Sequence, residues 1–269
     1  MIFSTDPMLQ FSSLILSNDE IAPHYFHMVL KAPISSYLPG QFVMIKVNNT
    51  NIPLLRRAMA ILSWRDEELE IVYKAIGLGT KELSKRAPGE KLEVIGPLGN
   101  SYEIPDGLGH AYMITGGVGM SPLMPLARAL TKKRIKTTLF FGGASVTDLV
   151  MRHEFSDLGV MVIPVTMDGS LGKRGLVTDV MEEGFKATKP DPQNDMVFTC
   201  GPHAMMRKVY EIAGKYGLKT QVSMETRMAC GTGVCLGCVI KNKNGSYLRA
   251  CTEGPVYYGE EIDWNARLD

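Results

Sequence analysis

The sequence predicts a β plus α/β protein in three parts. They are an antiparallel β-barrel over residues 1–105, a parallel-sheet α/β domain over 106–219, and a small cysteine-bearing segment over 220–269. Three observations predict it. The first hundred residues read as short β-like runs separated by turn formers. The middle alternates apolar strand-like runs with helical stretches. Four of the five cysteines crowd between Cys230 and Cys251. At 269 residues with 45% apolar content, the chain can bury two ordinary cores.

In the first part, FSSLILSN, YFHMVLKA, QFVMIKVN, AMAILSW, LEIVYKA and KLEVIGP are each rich in β-branched or aromatic residues. Turn formers such as Pro39-Gly40 and Pro88-Gly89 separate them. About six strands at this spacing suggest a small antiparallel barrel. Two patches could carry chemistry. Arg56-Arg57 stand at the start of a strand, and Gly77-Leu78-Gly79-Thr80 forms a glycine-rich turn entering a helix. An arginine offers a fork of donors to a pyrophosphate, and the turn offers amides and a hydroxyl. Each pattern alone is equally at home in a solvated strand end or a plain turn.

The pattern then changes period. Residues 111–115 read as a buried strand, followed by Gly116-Gly117-Val118-Gly119-Met120 and a helix from about Ser121 to Lys132, with Ser121 as its cap and Pro122 in its first turn. KTTLFFGG, VMVIPVTM, DMVFTC and LKTQVSM supply further strands. Helices are expected near 147–157, 176–185 and 203–215. Such alternation implies a parallel sheet covered on both faces, whose ligands gather beyond the carboxyl ends of the strands. The loops expected on that edge include residues 142–145, 168–173 and 200–206.

The last part carries the sharpest signal. Cys230, Cys235 and Cys238 are spaced C-x4-C-x2-C, and Cys251 follows after twelve residues. This is plant-type spacing for a [2Fe–2S] cluster held by four thiolates. Gly231, Gly233 and Gly237 permit the tight turns that aim amides at sulfur. A structural zinc site also takes four cysteines, ordinarily as two C-x2-4-C pairs, and stands as an alternative. Disulfides are disfavoured because nothing suggests export, and simple packing explains neither the spacing nor the glycines.

Charge and apolar runs exclude other classes. Lysine plus arginine number 29 against 28 acidic residues, so no global field draws the chain to nucleic acid or an anionic membrane. Residues 1–16 lack a basic lead-in and carry Asp6, and no apolar run approaches the roughly 18 residues of a membrane helix. A cytoplasmic protein with metal-bound rather than oxidised cysteines is expected.

The short return to Cys251, with ETRMACG before the loop and RACTEGPV around the last cysteine, resembles one family in particular. It is the electron-transfer subunit of NAD-dependent (class 1B) dihydroorotate dehydrogenase, within the ferredoxin–NADP reductase superfamily, and the likeness covers nearly the whole chain. The resemblance implies FAD clasped by an R-x-x-S motif and a glycine-rich turn. Arg57, Ala58, Met59 and Ala60 then occupy the motif, Ile71, Val72 and Tyr73 the strand lining the flavin, and Gly79 and Thr80 the turn. Family members usually show R-P-x-S. Ala58 and Ala60 depart from it and remove a hydroxyl expected near the flavin's polar edge.

The resemblance further implies NAD(H) at Gly117, Gly119, Gly201 and Pro202, with Cys200 beside the point where hydride crosses, and a [2Fe–2S] cluster on Cys230, Cys235, Cys238 and Cys251. The loop at 142–148 lacks the basic residues that a 2′-phosphate would attract, which favours NAD(H) over NADP(H). The implied partner is a separate FMN-containing catalytic subunit, in a heterotetramer of two such pairs serving pyrimidine biosynthesis. Electrons would run from dihydroorotate through FMN, cluster and FAD to NAD+. Two alternatives compete. One is the reductase subunit of a hydrogenase, sulfur reductase or bifurcating complex, where several relatives carry aspartate at the position of Cys230. The other is a non-enzymatic iron–sulfur redox sensor.

Overall fold

The computed structural model describes residues 8–33, 36–48, 50 and 52–266; the first seven of residues 1–16, which lack a basic lead-in, lie outside them. Seven strands build the first sheet. They are β1 (Leu9–Ala22), β2 (Tyr25–Lys31), β3 (Phe42–Lys46), β4 (Arg57–Ala60), β5 (Ser63–Arg65), β6 (Glu68–Lys74) and β7 (Lys91–Leu98), in the order β4-β3-β7-β1-β2-β6-β5 with every pairing antiparallel. The run at 58–64, expected as one strand, is two. β4 pairs with β3 at one edge and β5 with β6 at the other. Between them Ile61 N–H donates to Gln41 O and Leu62 N–H to Glu70 O, both at 3.0 Å. Two residues thus carry the chain from one open edge to the other and satisfy backbone on both sides, closing the barrel. Val43, Ile45, Trp64 and Ile71 fill its interior.

The second sheet holds five parallel strands: β8 (His110–Gly116), β9 (Lys136–Gly143), β10 (Met161–Thr166), β12 (Asp195–Cys200) and β13 (Lys219–Ser223). The two-residue β11 (Lys173–Arg174) lies beyond β10. Strand alternation sorts the side chains onto two faces. Ala111 and Met113 of β8 pack against α2 (Leu123–Lys132) and α3 (Arg152–Asp157). Tyr112 and Ile114 pack against α4 (Val177–Thr188) and α5 (His203–Lys215). Both faces are covered, as the pattern predicts.

The boundaries differ in three places. A 3-10 turn occupies Gly117–Met120, so α2 starts at Leu123 after Pro122, and Ser121 ends the turn instead of capping the helix; its hydroxyl donates to Val72 O at 3.4 Å. The helix expected at 147–157 is interrupted, because Met151 takes φ +57° and only Arg152–Asp157 is α-helical. α4 runs on to Thr188 and stops where Lys189 turns left-handed at φ +51°.

The division expected at residue 219 falls at the first residue of β13, which pairs with β12 within the second sheet. The C-terminal lobe contributes the hairpin β14 (Val239–Lys241) and β15 (Tyr247–Arg249), and then β16 (Val256–Tyr258). β16 returns antiparallel onto β13. One apolar cluster joins all three parts, with Phe42, Met44 and Leu98 from the barrel, Met206 from α5, and Cys238 and Tyr257 from the lobe. Among the described residues no helix is long and apolar enough to cross a membrane.

Candidate redox site

The three parts meet around a cavity of about 540 Å³. Its walls come from β4, β6 and the turn before α1 (Leu78–Leu83), from Val118, Ser121, Pro122 and Cys200 of the second sheet, and from residues 223–228 leading into the cysteine loop. Such a volume suits a ligand of cofactor size. The second sheet changes direction between β8 and β12, and the loops after those strands face the cavity. That crevice is where open α/β sheets hold their ligands.

Of the barrel residues expected at this site, Arg57, Ala58, Met59, Ala60, Val72, Tyr73 and Thr80 line the cavity. Ile71 does not; it is fully buried in the barrel core, because alternation on β6 turns it inward. Tyr73 borders the cavity, but its ring stacks on Phe26 at 5.5 Å and its hydroxyl donates to Asn18 at 2.9 Å. It supplies wall and no free hydroxyl. The Arg57 guanidinium is held by one nitrogen, Nη1, which donates to Leu55 O at 2.5 Å and Arg56 O at 3.4 Å. A Cβ on Gly79 would stand 2.1 Å from Arg57 Nε, so only glycine lets the guanidinium lie against the turn. Thr80 Oγ1 accepts from the amides of Ile76 and Gly77, both at 3.1 Å, and fixes that turn. The remaining guanidinium donors fit a pyrophosphate, and the cavity fits the rest of a flavin nucleotide.

Gly117, Gly119, Gly201 and Pro202 stand in the loops after β8 and β12 and do not line the cavity. A Cβ on Gly119 would lie 2.4 Å from Cys200 O, so the glycine lets the loop after β8 press on the end of β12. Cys200 is 2% exposed and lines the cavity; burial, aided by the nearby Glu225 carboxylate, pushes its thiol far above the usual range. It is a neutral wall and not a nucleophile. At the rim, Glu225 keeps exposed surface, yet dense surroundings raise its carboxyl.

Sequence reasoning missed a polar tie across the crevice. Asp148, in the loop after β9, accepts from Tyr25 OH and from Lys74 Nζ, each at 2.8 Å. Lys74 also sits 4.6 Å from the Tyr25 ring centroid. Burial opposes ionisation of Asp148, but the hydrogen bonds from Lys74 and Tyr25 outweigh it and hold the carboxyl below its usual range. This contribution is present above the unfolded carboxylate value, roughly pH 4, and is lost as pH falls through the depressed folded value. Asp148→Ala is expected to cost about 1–2 kcal/mol at neutral pH. Thermal melts should show the gap between parent and variant closing as pH drops below about 4. The only sequence signal was an aspartate in a loop without basic residues.

In the lobe the four expected cysteines come together. Cys238 Sγ lies 3.2 Å from Cys251 Sγ, and both are buried. Cys230 is partly exposed and Cys235 exposed, and the Cys235 side chain lies close enough to act on the Cys230 thiol. Amides serve three of the sulfurs: Thr232 N–H to Cys230 at 3.3 Å, Gly233 N–H to Cys251 at 3.2 Å, and Gly237 N–H to Cys235 at 3.4 Å. Burial opposes ionisation of Cys230, but amide bonds from Thr232 and Cys235 draw its thiol down to about 5. Burial and the adjoining Cys238 push Cys251 up to about 12. Gly231 and Gly233 have φ of +74° and +83°. A Cβ on Gly231 would meet Met44 Cγ at 2.6 Å, so the loop packs directly on the barrel. Among the described residues no three His, Cys, Asp or Glu side chains are placed to hold a single metal ion. Two thiol pairs with amides aimed at their sulfurs match the donor set of a two-iron cluster, one pair per iron.

Barrel, nucleotide sheet and cysteine lobe around one cavity define an iron–sulfur flavoprotein reductase with the ferredoxin–NADP reductase fold. Comparison with known proteins agrees. Residues 225–263 match the iron–sulfur cluster binding domain of dihydroorotate dehydrogenase B, and residues 113–211 match the oxidoreductase NAD-binding domain. The chain is 36% identical to the dihydroorotate dehydrogenase B (NAD(+)) electron transfer subunit of Caldanaerobacter subterraneus, over 92% of this chain and 96% of the relative. It is 37% identical to that of Bacillus pumilus, with the same coverage. The chain belongs to the family of dihydroorotate dehydrogenase B electron transfer subunits. Among solved structures, NADH-dependent reduced ferredoxin–NADP oxidoreductase, described for flavin-based electron bifurcation, superposes with a TM-score of 0.84 at 31% identity, covering 94% of this chain and 90% of that one. The ferredoxin–NADP+ reductase of Neisseria gonorrhoeae shares the fold at 16% identity, with a TM-score of 0.68 over 77% of this chain and 92% of that one.

Proposed function

We propose that this chain, as a subunit of a dihydroorotate dehydrogenase, passes electrons between the FMN of a catalytic partner and NAD+ through a [2Fe–2S] cluster and FAD. A cytoplasmic heterotetramer of two such pairs is the assembly that fits this role. The observation that carries the reading is the single cavity walled by all three parts, with Met228 of its wall two residues from Cys230. When bound, FAD supplies the conversion between two-electron hydride transfer and the one-electron steps of the cluster.

The chain's own residues do the holding. Arg57 would take the FAD pyrophosphate, Thr80 fixes the adjoining turn, and Ala58, Ala60 and Val72 wall the flavin. Gly119 and Gly201 let backbone approach the nicotinamide nucleotide, and Cys200 closes that side as a neutral, water-excluding surface. Cys230, Cys235, Cys238 and Cys251 would hold the irons, with the Thr232, Gly233 and Gly237 amides stabilising charge on sulfur. Tyr25, Lys74 and Asp148 hold the barrel against the nucleotide sheet.

The test uses protein prepared without oxygen. Iron, acid-labile sulfide and FAD should be present together. Mixed with an FMN-bearing dihydroorotate-oxidising subunit, the protein should reduce NAD+. A protein without iron, or one whose flavin stays oxidised under NADH, overturns the reading. The likeness to the ferredoxin–NADP oxidoreductase favours a second role, as the reductase subunit of a bifurcating complex. That role predicts electron exchange with ferredoxin and none with dihydroorotate.

A further inference from the structure

We infer that Tyr257 is a cofactor-contacting residue, donating its phenolic hydrogen bond to sulfur in the inner half of the cluster and thereby raising the cluster's reduction potential. The inference rests on the cluster reading above and extends it to a residue outside the cysteine motif.

Tyr257 lies on β16, six residues beyond Cys251, and is 4% exposed. Its hydroxyl is buried and has no hydrogen-bond partner among the described residues. A buried hydroxyl left unpaired is costly, and such groups ordinarily find a partner. Its surroundings identify the partner. Tyr257 shares one apolar cluster with Cys238 and Cys251, the inner thiol pair. Burial raises the phenol far above its usual range, and Glu253 and then both of those cysteines lie close enough to add to the rise.

The neighbouring Glu253 carboxylate is turned onto Arg249 through one of its oxygens. Glu253 Oε2 accepts from the backbone amide and from Nε of Arg249, both at 2.8 Å. Glycine at 254 makes room for the phenol: a Cβ there would stand 2.4 Å from Tyr257 OH. Thr252 Oγ1, next to Cys251 in the chain, is a second buried hydroxyl without a partner among the described residues. Two buried hydroxyls left without partners within six residues of Cys251 are what a chain built around acceptors, here thiolate and sulfide, leaves behind when only its own atoms are counted.

The consequence is electrostatic. Reduction adds negative charge to the cluster, so a donor aimed at its sulfurs binds the reduced form more strongly and raises the potential. The amides of Thr232, Gly233 and Gly237 serve Cys230, Cys251 and Cys235, and among the described residues no amide serves Cys238. Tyr257 would supply a donor on that side.

The experiment compares the parent protein with Tyr257→Phe, both loaded anaerobically. Readouts are iron and sulfide content, the midpoint potential followed by the electron paramagnetic signal of the reduced cluster, and the deuterium shift of the iron–sulfur stretching bands. The expected result is unchanged iron and sulfide, a midpoint moved to more negative potential, and a smaller deuterium shift. An unchanged midpoint and deuterium shift overturn the inference. So does a lowered melting temperature of the cluster-free variant, since a hydroxyl with no protein partner contributes nothing to that form. Gly254→Ala displaces the hydroxyl while keeping the phenol and must move the midpoint in the same direction; it carries the test if Tyr257→Phe does not hold iron. Absence of iron and sulfide from the parent overturns the cluster reading itself, whereas their presence without the shift overturns this inference alone.

Discussion

Cys251→Ser is expected to empty the lobe of iron and sulfide and abolish electron exchange with the catalytic partner, while NADH still reduces the bound flavin. Cys251 is buried, paired with Cys238 at 3.2 Å, and served by the Gly233 amide at 3.2 Å. A hydroxyl there is shorter, harder and ionises far less readily than a thiol. Loss of an outer partner alone costs metal sites roughly 10–100-fold in affinity, and loss of a ligand should exceed that. Iron and sulfide assays measure the first effect, and NADH-dependent ferricyanide reduction measures the survival of the second. Retention of a full cluster in the serine variant would remove Cys251 from the ligand set.

Arg57→Ala should release FAD. Charge-assisted bonds from a guanidinium to phosphate contribute about 1.5–3 kcal/mol each, so losing the fork weakens binding by about 3 kcal/mol, roughly 100-fold. The structure makes Arg57 hard to replace by lysine. Its guanidinium lies flat against Gly79 and is braced through Nη1 by two carbonyls of its own strand entry. A lysine has neither the plane nor the fork. Gel filtration followed by fluorescence of the released flavin measures the loss. A variant that keeps stoichiometric FAD would place the pyrophosphate elsewhere in the cavity.

The parts legible in the sequence were those with a short-range physical signature. Spacing and glycines exposed the cysteine loop, because a chain that wraps a cluster has few local solutions. Alternation of strand-like and helical periods exposed the second sheet, whose α5 begins at His203 and ends at Lys215 as expected. Other features stayed hidden because long-range pairing decides them. Nothing local shows that the run at 58–64 serves both edges of one sheet, or that Met151 turns left-handed and shortens a helix. Ile71 was placed at the flavin from its strand, but side-chain alternation sends it into the core. The tie of Tyr25, Lys74 and Asp148 joins residues up to 123 positions apart, and Tyr257 meets the cysteines only through the fold.

The return of β16 onto β13 has a consequence for how the chain could be divided. Without the last strand, Gln221, Val222 and Ser223 would present an unpaired ribbon edge, the kind of surface that invites intermolecular adhesion. A fragment cut after residue 223 would therefore be a sticky remnant and not a smaller working reductase. In this chain the metal-bearing end is stitched into the nucleotide-bearing middle, and the two are expected to unfold together.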